Sequence, residues 1–174
     1  MSRKVLVAYA TKMGSTAGIA EEIGTELRQH GHQVEVRNVT AVDSITEYDA
    51  VIVGSAIYIR RWRPEAVHFL RRHADELRDR QVWLFHSGPV GPDREQPQAM
   101  PPNVRRLARR IGATPAMTFA GALDPDTAKG FLARQMAKGP LATDSRDWPQ
   151  ITAWSQDLAA TITAAEHTTW HRLI

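Results

Sequence analysis

Cysteine is absent from the 174-residue sequence. Disulfides, thiolate catalysis, zinc ribbons and cysteine-ligated iron–sulfur clusters are therefore excluded, because each of them requires cysteine sulfur. Two common nucleotide-binding signatures, Gly-x-Gly-x-x-Gly and Gly-x-x-x-x-Gly-Lys-Ser/Thr, are absent as well. Any redox chemistry in this protein must come from a bound organic cofactor, held by some other kind of loop.

Long apolar runs are also missing. The run at residues 50–59 is interrupted by Gly and Ser and falls well short of the roughly 18 residues that a membrane helix needs. The first four residues lead directly into a strand-like segment, without the apolar core of a secretion signal. We therefore expect a cytoplasmic protein without a transmembrane segment, for which any membrane contact is peripheral.

An acidic excess is the third missing feature. Lys and Arg number 22 against 19 Asp and Glu, which gives a formal charge of +3. Arginine is concentrated at residues 60–63, 71–72 and 105–110. These clusters indicate either solvated helix faces or an electropositive surface for an anionic ligand, substrate or membrane. No nucleic-acid-binding motif accompanies the charge, so no nucleic-acid partner is expected.

The length of 174 residues fits one domain, residues 1–174, and hydrophobic periodicity predicts that strands and helices alternate in it. A near-average content of 43% hydrophobic and 24% charged residues is typical of a globular chain. The pattern predicts five strands joined through helices, which indicates an α/β sheet of parallel strands with helices on both faces. Residues 124–147 do not belong to this minimal pattern and are predicted to be a helical insert near strand five. The predicted strands are residues 4–10, 33–39, 50–54, 81–86 and 116–122.

A loop of small hydroxylated residues links the first strand to the first helix. Such a loop directs backbone N–H groups, the positive end of the helix dipole and the hydroxyls of Thr11, Ser15 and Thr16 toward one point. This arrangement predicts a phosphate site. Two other loops, residues 55–62 and 87–91, leave the same edge of the sheet and carry amides, hydroxyls and the rings of Tyr58 and Trp62, which suit a flat conjugated ring system.

The stretch Tyr9-Ala-Thr-Lys-Met-Gly-Ser-Thr16 resembles the FMN-phosphate signature of flavodoxins. Five strands in one domain agree with the flavodoxin-like strand order 2-1-3-4-5, a three-layer sandwich. The segments 54–58, 69–73, 119–124 and 143–148 are similar to the flavodoxin-domain subfamily of menaquinone-dependent protoporphyrinogen IX dehydrogenase. The resemblance therefore covers nearly the whole chain.

The resemblance implies a set of FMN-binding residues in three groups. The first group surrounds the phosphate, the second lies on one side of the isoalloxazine ring, and the third lies on the other side. Trp62 is a further candidate because of its aromatic ring, apart from the resemblance. The groups are Thr11, Lys12, Met13, Gly14, Ser15 and Thr16; then Ser55, Ala56, Ile57 and Tyr58; then Ser87, Gly88, Pro89, Val90 and Gly91.

Three residues are candidates for a catalytic role. His86, at the end of the fourth predicted strand, is either a structural histidine or a proton donor to the flavin or substrate. Arg60 or Arg61 would stabilise negative charge on the flavin or on an acidic substrate. The spacing of the histidines and carboxylates predicts no metal site.

Three functions follow from this reading. The first is an FMN-dependent oxidoreductase that exchanges electrons or hydride with a small organic molecule, such as a quinone or a protoporphyrinogen-like compound. The second is a flavodoxin-type electron carrier that serves a partner protein. The third is a flavodoxin-like module that has kept the fold and lost FMN, or that binds a related phosphorylated ring such as a deazaflavin. The basic charge favours the enzyme or a carrier with an acidic redox partner.

Overall fold

The sheet is built from strands whose side chains are buried on both faces. The computed structural model describes residues 2–88, 97–122 and 144–169. Val5, Leu6 and Val7 of the first strand have no solvent contact, as is typical of central parallel strands covered by helices. The strands are β1 Lys4–Ala10, β2 Gln33–Asn38, β3 Ala50–Tyr58, β4 Arg61–Trp62, β5 Gln81–Gly88 and β6 Met117–Ala120.

The helices follow the strands in alternation. Helix α1 begins after a glycine and ends at Gln29, and Gly31 beyond it has φ 88°, the left-handed conformation predicted for a residue that closes a helix. A single 3₁₀ turn, Val39–Ala41, follows β2. The helices are α1 Ser15–Gln29, α2 Pro64–Arg72, α3 Ala74–Leu77, α4 Pro102–Ile111 and α5 Trp148–Thr169.

The strand order is β2-β1-β3-β5-β6, and all neighbours on this path pair in parallel. For the five predicted strands this is the order 2-1-3-4-5, so the predicted flavodoxin-like α/β fold is confirmed. A sixth strand was not predicted: β4 is two residues long and pairs antiparallel with the end of β3. Strand β3 is correspondingly longer than its predicted bounds and continues to Tyr58.

Alternation along the strands divides the core into two clusters, one on each face of the sheet. Val5 and Val7 of β1 pack with α1 and α5, while Leu6 and Ala8 pack with α2, α3 and α4. Burying a side chain of this size contributes about 1.5–3 kcal/mol. The two clusters make the sheet the middle layer of three.

Some predicted features lie outside the described residues. These are most of the insert at 124–147 and the loop residues Pro89, Val90 and Gly91. Among the described residues no helix is both long and apolar enough to cross a membrane.

Candidate functional site

The carboxyl ends of β1, β3 and β5 lie side by side. Ala10 of β1 is opposite Ser55 of β3, and Ser55 is opposite His86 of β5. The loops that leave these three ends therefore start from one edge of the sheet, as predicted for a ligand site of a doubly wound fold.

The loop between β1 and α1 ends in a helix terminus suited to an anion. Gly14 flanks the helix with φ 86°, and its backbone N–H donates a 2.9 Å hydrogen bond to Oγ1 of Thr11. The first turn of α1 contains no acidic residue, and Gly14 provides no side-chain cap. The positive end of the helix dipole is therefore not neutralised by a carboxylate of the helix's own first turn, which suits a phosphate group.

Each of the three hydroxyls of this loop has a hydrogen-bond partner within the protein, and that of Thr11 is the N–H of Gly14. Ser15 Oγ accepts a 2.9 Å bond from the N–H of Ala122, a contact that uses the oxygen and not the hydrogen of the hydroxyl. Thr16 is fully buried, and its Oγ1 lies 2.6 Å from Oγ of Ser87. The Thr16 side chain therefore joins α1 to β5 inside the protein.

Strands β3 and β4 form a tight hairpin that the sequence did not predict. Tyr58 pairs with Arg61 across the turn, and the two turn residues Ile59 and Arg60 have φ 47° and 57°. Two consecutive positive φ values define a type I′ turn, which usually contains Asn and Gly. A β-branched residue such as Ile59 is strained there.

The hairpin turn presents an aromatic and an aliphatic side chain to solvent. Tyr58 is 48% exposed and Ile59 is 75% exposed. The Nζ of Lys12 lies 3.7 Å from the centroid of the Tyr58 ring, a cation–π contact between the first loop and the hairpin. Arg60 and Arg61 are exposed beside them. The hairpin therefore combines an accessible ring with three cationic side chains.

The sequence predicted that the rings of Tyr58 and Trp62 would both face the flavin. Trp62, however, does not lie beside Tyr58 on the exposed side of the hairpin. It is 4% exposed and belongs to the core cluster beneath α2. Neighbouring residues of a strand point to opposite faces, so exposed Arg61 leaves Trp62 directed inward. Its Nε1–H donates a 3.1 Å hydrogen bond to Nδ1 of His86.

His86 is a buried, hydrogen-bonded histidine with no solvent contact. Because the indole N–H can only donate, Nδ1 of His86 accepts, and the ring hydrogen resides on Nε2. Nε2 donates to Oγ1 of Thr118 at 2.8 Å, and the backbone N–H of Gln98 donates to that oxygen at 3.2 Å. Burial lowers the pKa of His86 to about 4, and a backbone hydrogen bond with Gln98 acts in the opposite direction. The imidazole is therefore neutral at physiological pH.

The end of β5 packs closely on the end of β3. Ser87 is buried and opposite Ala56, and a side chain at Gly88 would come within 2.8 Å of Cγ2 of Ile57. The residues of β3 and β5 that were predicted to flank the flavin ring are therefore adjacent to each other, as far as Gly88. Within the described residues, no group of three or more His, Asp or Glu side chains is placed to hold a metal ion.

Comparison with known proteins assigns the class. The family model described as the flavodoxin domain matches residues 6–140. The chain belongs to this flavodoxin-domain family.

The individual proteins that the chain resembles share little sequence identity with it. The chain is 24% identical to protoporphyrinogen IX dehydrogenase [quinone] of Escherichia coli K12, over 90% of this chain and 94% of that protein. Flavodoxin 2 of Bacillus cereus superposes with a TM-score of 0.58, 19% identity and coverage of 93% of this chain and 99% of that one. Rubredoxin oxygen:oxidoreductase of Desulfovibrio gigas gives a TM-score of 0.62 at 17% identity, but 92% of this chain spans only 36% of that one.

Proposed function

We propose that this protein is an FMN-dependent oxidoreductase that exchanges electrons or hydride with a small organic molecule of the quinone or porphyrinogen class. The observation that carries the proposal is the uncapped N-terminus of α1, which lies at the same sheet edge as the ends of β3 and β5. A phosphate at the helix and a flat ring beyond the two strand ends would use both parts of this edge.

The residues present fit FMN. The phosphate would be held by the loop Thr11–Thr16, through the amides of the first helical turn and the hydroxyl hydrogen of Ser15. The ring would lie beyond the paired ends of β3 and β5, next to the loops that leave these strands. When bound, FMN would supply the redox chemistry, which the protein's own side chains lack. Arg60 and Arg61 would favour negative charge at the ring or on an acidic substrate.

The net charge and the similarity to a dehydrogenase both support an enzyme rather than an electron carrier. The formal charge of +3 differs from the acidic surface that a carrier uses to dock on basic partners. The relative in Escherichia coli is a dehydrogenase whose name specifies a quinone, which supports a quinone as acceptor and a porphyrinogen-like donor.

An electron carrier for an acidic partner protein is the second candidate. It is favoured by the exposed hairpin, in which Ile59 is followed by Arg60 and Arg61. Such a combination of apolar tip and cationic rim would suit a transient acidic interface.

The cofactor is tested by reconstitution with FMN and by two matched substitutions. Gly14 and Gly112 both have left-handed φ, 86° and 69°, so alanine imposes similar backbone strain at both positions. Gly14→Ala should weaken FMN binding at least about tenfold, because the helix terminus must move, whereas Gly112→Ala should not. Equal FMN affinity of the two variants, or failure of the wild type to bind FMN, would contradict the proposed site. Preference for a deazaflavin in the same titration would identify that variant instead.

The reaction is tested with the FMN-loaded protein under anaerobic conditions. Multiple turnovers that consume quinone with a porphyrinogen donor would support the enzyme. Electron exchange with an acidic redox protein, without turnover of any small molecule, would support the carrier.

A further inference from the structure

The segment just before α5 is tied to the first turn of α1. Asp144 pairs antiparallel with Ala122, which lies just beyond β6. The backbone N–H of Ala122 donates the 2.9 Å hydrogen bond to Oγ of Ser15. Since Ser15 is the first residue of α1, Asp144 is connected through one residue to the helix end at which the phosphate is expected.

The guanidinium of Arg146 is fixed by the same aspartate. Its Nε and Nη2 donate to the two carboxylate oxygens of Asp144 at 2.8 and 2.6 Å, and this hydrogen bonding holds the pKa of the Asp144 carboxyl below its usual value. The Cζ of Arg146 lies 4.5 Å from the ring centroid of Trp148, the first residue of α5. A two-pronged bond and a stacked ring leave the planar guanidinium little freedom to rotate.

Arg146 returns to α1 at Gly18. A Cβ on Gly18 would lie 2.4 Å from Nη1 of Arg146, so the guanidinium fills the space that any other side chain would need. Ser15 and Gly18 are three residues apart and lie on the same face of the helix. The contacts through Ala122, Asp144 and Arg146 therefore form a closed loop that leaves the first turn of α1 at one residue and returns to it three residues later. This set of contacts is called the α1 clamp below.

The turn held by the α1 clamp is the one that supplies the amides of the proposed phosphate site. The first residues of a helix fray easily, because their N–H groups have no partner inside the helix. An anion binds more tightly to N–H groups that are already in place than to a turn that must first be ordered. Fixing this turn before the ligand arrives therefore favours binding of a phosphate.

We propose that Arg146 is a positioning residue for the phosphate group of FMN, since its pairing with Asp144 and its packing on Gly18 keep the first turn of α1 in the geometry that binds the phosphate. This inference rests on the FMN site proposed above. Arg146 acts through the turn, so it affects the phosphate end of the ligand and leaves the contacts of the ring unchanged.

The role of Arg146 is tested by titrating the flavin-free protein with FMN and with riboflavin, which has the same ring and lacks the phosphate. The wild type should bind FMN more tightly. Arg146→Met should weaken FMN binding about tenfold and change riboflavin binding by less than about twofold. An equal loss for both ligands would show a general structural role and overturn the proposal, as would unchanged FMN binding.

The matched control is Arg28→Met at the other end of the same helix. Nε and Nη2 of Arg28 donate to the carbonyl of Val34 at 3.2 and 3.1 Å, so this variant also removes one charge and a bonded guanidinium. Both affinities should stay within about twofold of the wild type. A selective loss of FMN binding as large as that in Arg146→Met would refute a specific role of Arg146.

Two further variants separate position from charge. Arg146→Lys keeps the charge but cannot form the two-pronged bond, so its affinity for FMN should fall as in Arg146→Met. Gly18→Ala keeps every charge but displaces the guanidinium, and it should reduce the preference for FMN over riboflavin as well. Wild-type preference in either variant would contradict a positioning role. Arg146→Lys decides this point if Gly18→Ala does not fold.

A measurement without flavin separates this inference from the proposed function. The N–H of Gly18 donates to the carbonyl of Gly14 at 3.1 Å, within the turn that the α1 clamp holds. In the ligand-free protein, amide hydrogen exchange at Gly18 should be about tenfold faster in Arg146→Met than in the wild type, while exchange at Ile23 in the middle of α1 stays the same. Faster exchange together with no FMN binding by the wild type would refute the cofactor and support the α1 clamp. Unchanged exchange at Gly18 would refute the α1 clamp whatever the cofactor.

Discussion

The indole Nε1 of Trp62 donates a 3.1 Å hydrogen bond to Nδ1 of His86, and the two rings meet edge to face at 84°. This bond joins the hairpin strand β4 to β5, and His86 continues the connection to Thr118 on β6. Three strands at the candidate site are therefore held by one chain of hydrogen bonds, of which the first is buried and the second partly buried. The chain has a fixed direction, because its first member can only donate.

The buried His86 should make the protein less stable in acid. Its pKa is lowered from 6.5 to about 4 in the folded state, so the unfolded chain binds an extra proton between these values. Stability is therefore lost as pH falls from about 6.5 toward 4, by about 3 kcal/mol in total. Urea unfolding at pH 7 and pH 4 measures the loss.

A matched variant isolates this effect from other titrating groups. His86→Gln retains an acceptor for Trp62 and a donor for Thr118 but does not titrate. The difference in unfolding free energy between pH 7 and pH 4 should be smaller in His86→Gln than in the wild type by about the same 3 kcal/mol. An identical pH dependence in the two proteins would mean that His86 titrates normally in the fold.

Removal of the indole N–H should also be costly. Trp62→Phe leaves Nδ1 of buried His86 without a donor and reduces the packed volume, so we expect a loss of about 2–3 kcal/mol in the free energy of unfolding. Trp148 is 37% exposed, and Trp148→Phe, as the control, should cost less than about 1 kcal/mol. Similar losses in the two variants would show that the bond to His86 contributes little.

The elements that the sequence predicted best are those whose signal is local. Apolar runs located β1 and the first half of β3. The cap of the last helix is another local feature, because Asp147 Oδ1 accepts the N–H of Gln150 at 3.0 Å, as the spacing of a capping residue requires. Such features depend on residues within a few positions of each other.

The parts that were missed depend on unusual backbone or on distant contacts. The β3–β4 hairpin has Ile59 and Arg60 at positive φ, where turn signals would require Asn or Gly, so the pattern gave no indication of a turn. The inward direction of Trp62 follows from that hairpin. The bond from Thr16 to Ser87 joins residues 71 positions apart, which no local pattern reveals.

Gly54, in the middle of the apolar strand β3, should not tolerate a side chain. A Cβ there would lie 2.0 Å from Cζ of Phe85, and that ring cannot withdraw easily because it packs against Phe119 and Trp154. Gly54→Ala should therefore destabilise the protein by about 1–3 kcal/mol through overpacking. Gly54→Ala should cost less when Phe85 is replaced by leucine. The double variant Gly54→Ala/Phe85→Leu should therefore lose less stability relative to Phe85→Leu than Gly54→Ala loses relative to the wild type. Additive effects in thermal unfolding would argue against the contact.

At the strained hairpin turn, by contrast, we expect a substitution to increase the stability of the protein. Ile59 has φ 47° and is 75% exposed, so its side chain gains little from burial while its backbone is in a conformation unfavourable for a β-branched residue. Ile59→Asn should raise the free energy of unfolding by about 1 kcal/mol, since asparagine tolerates this region. Ile59→Val, which keeps the β-branch, should give no gain. A stability of Ile59→Asn at or below that of Ile59→Val in thermal unfolding would show that the turn is not strained.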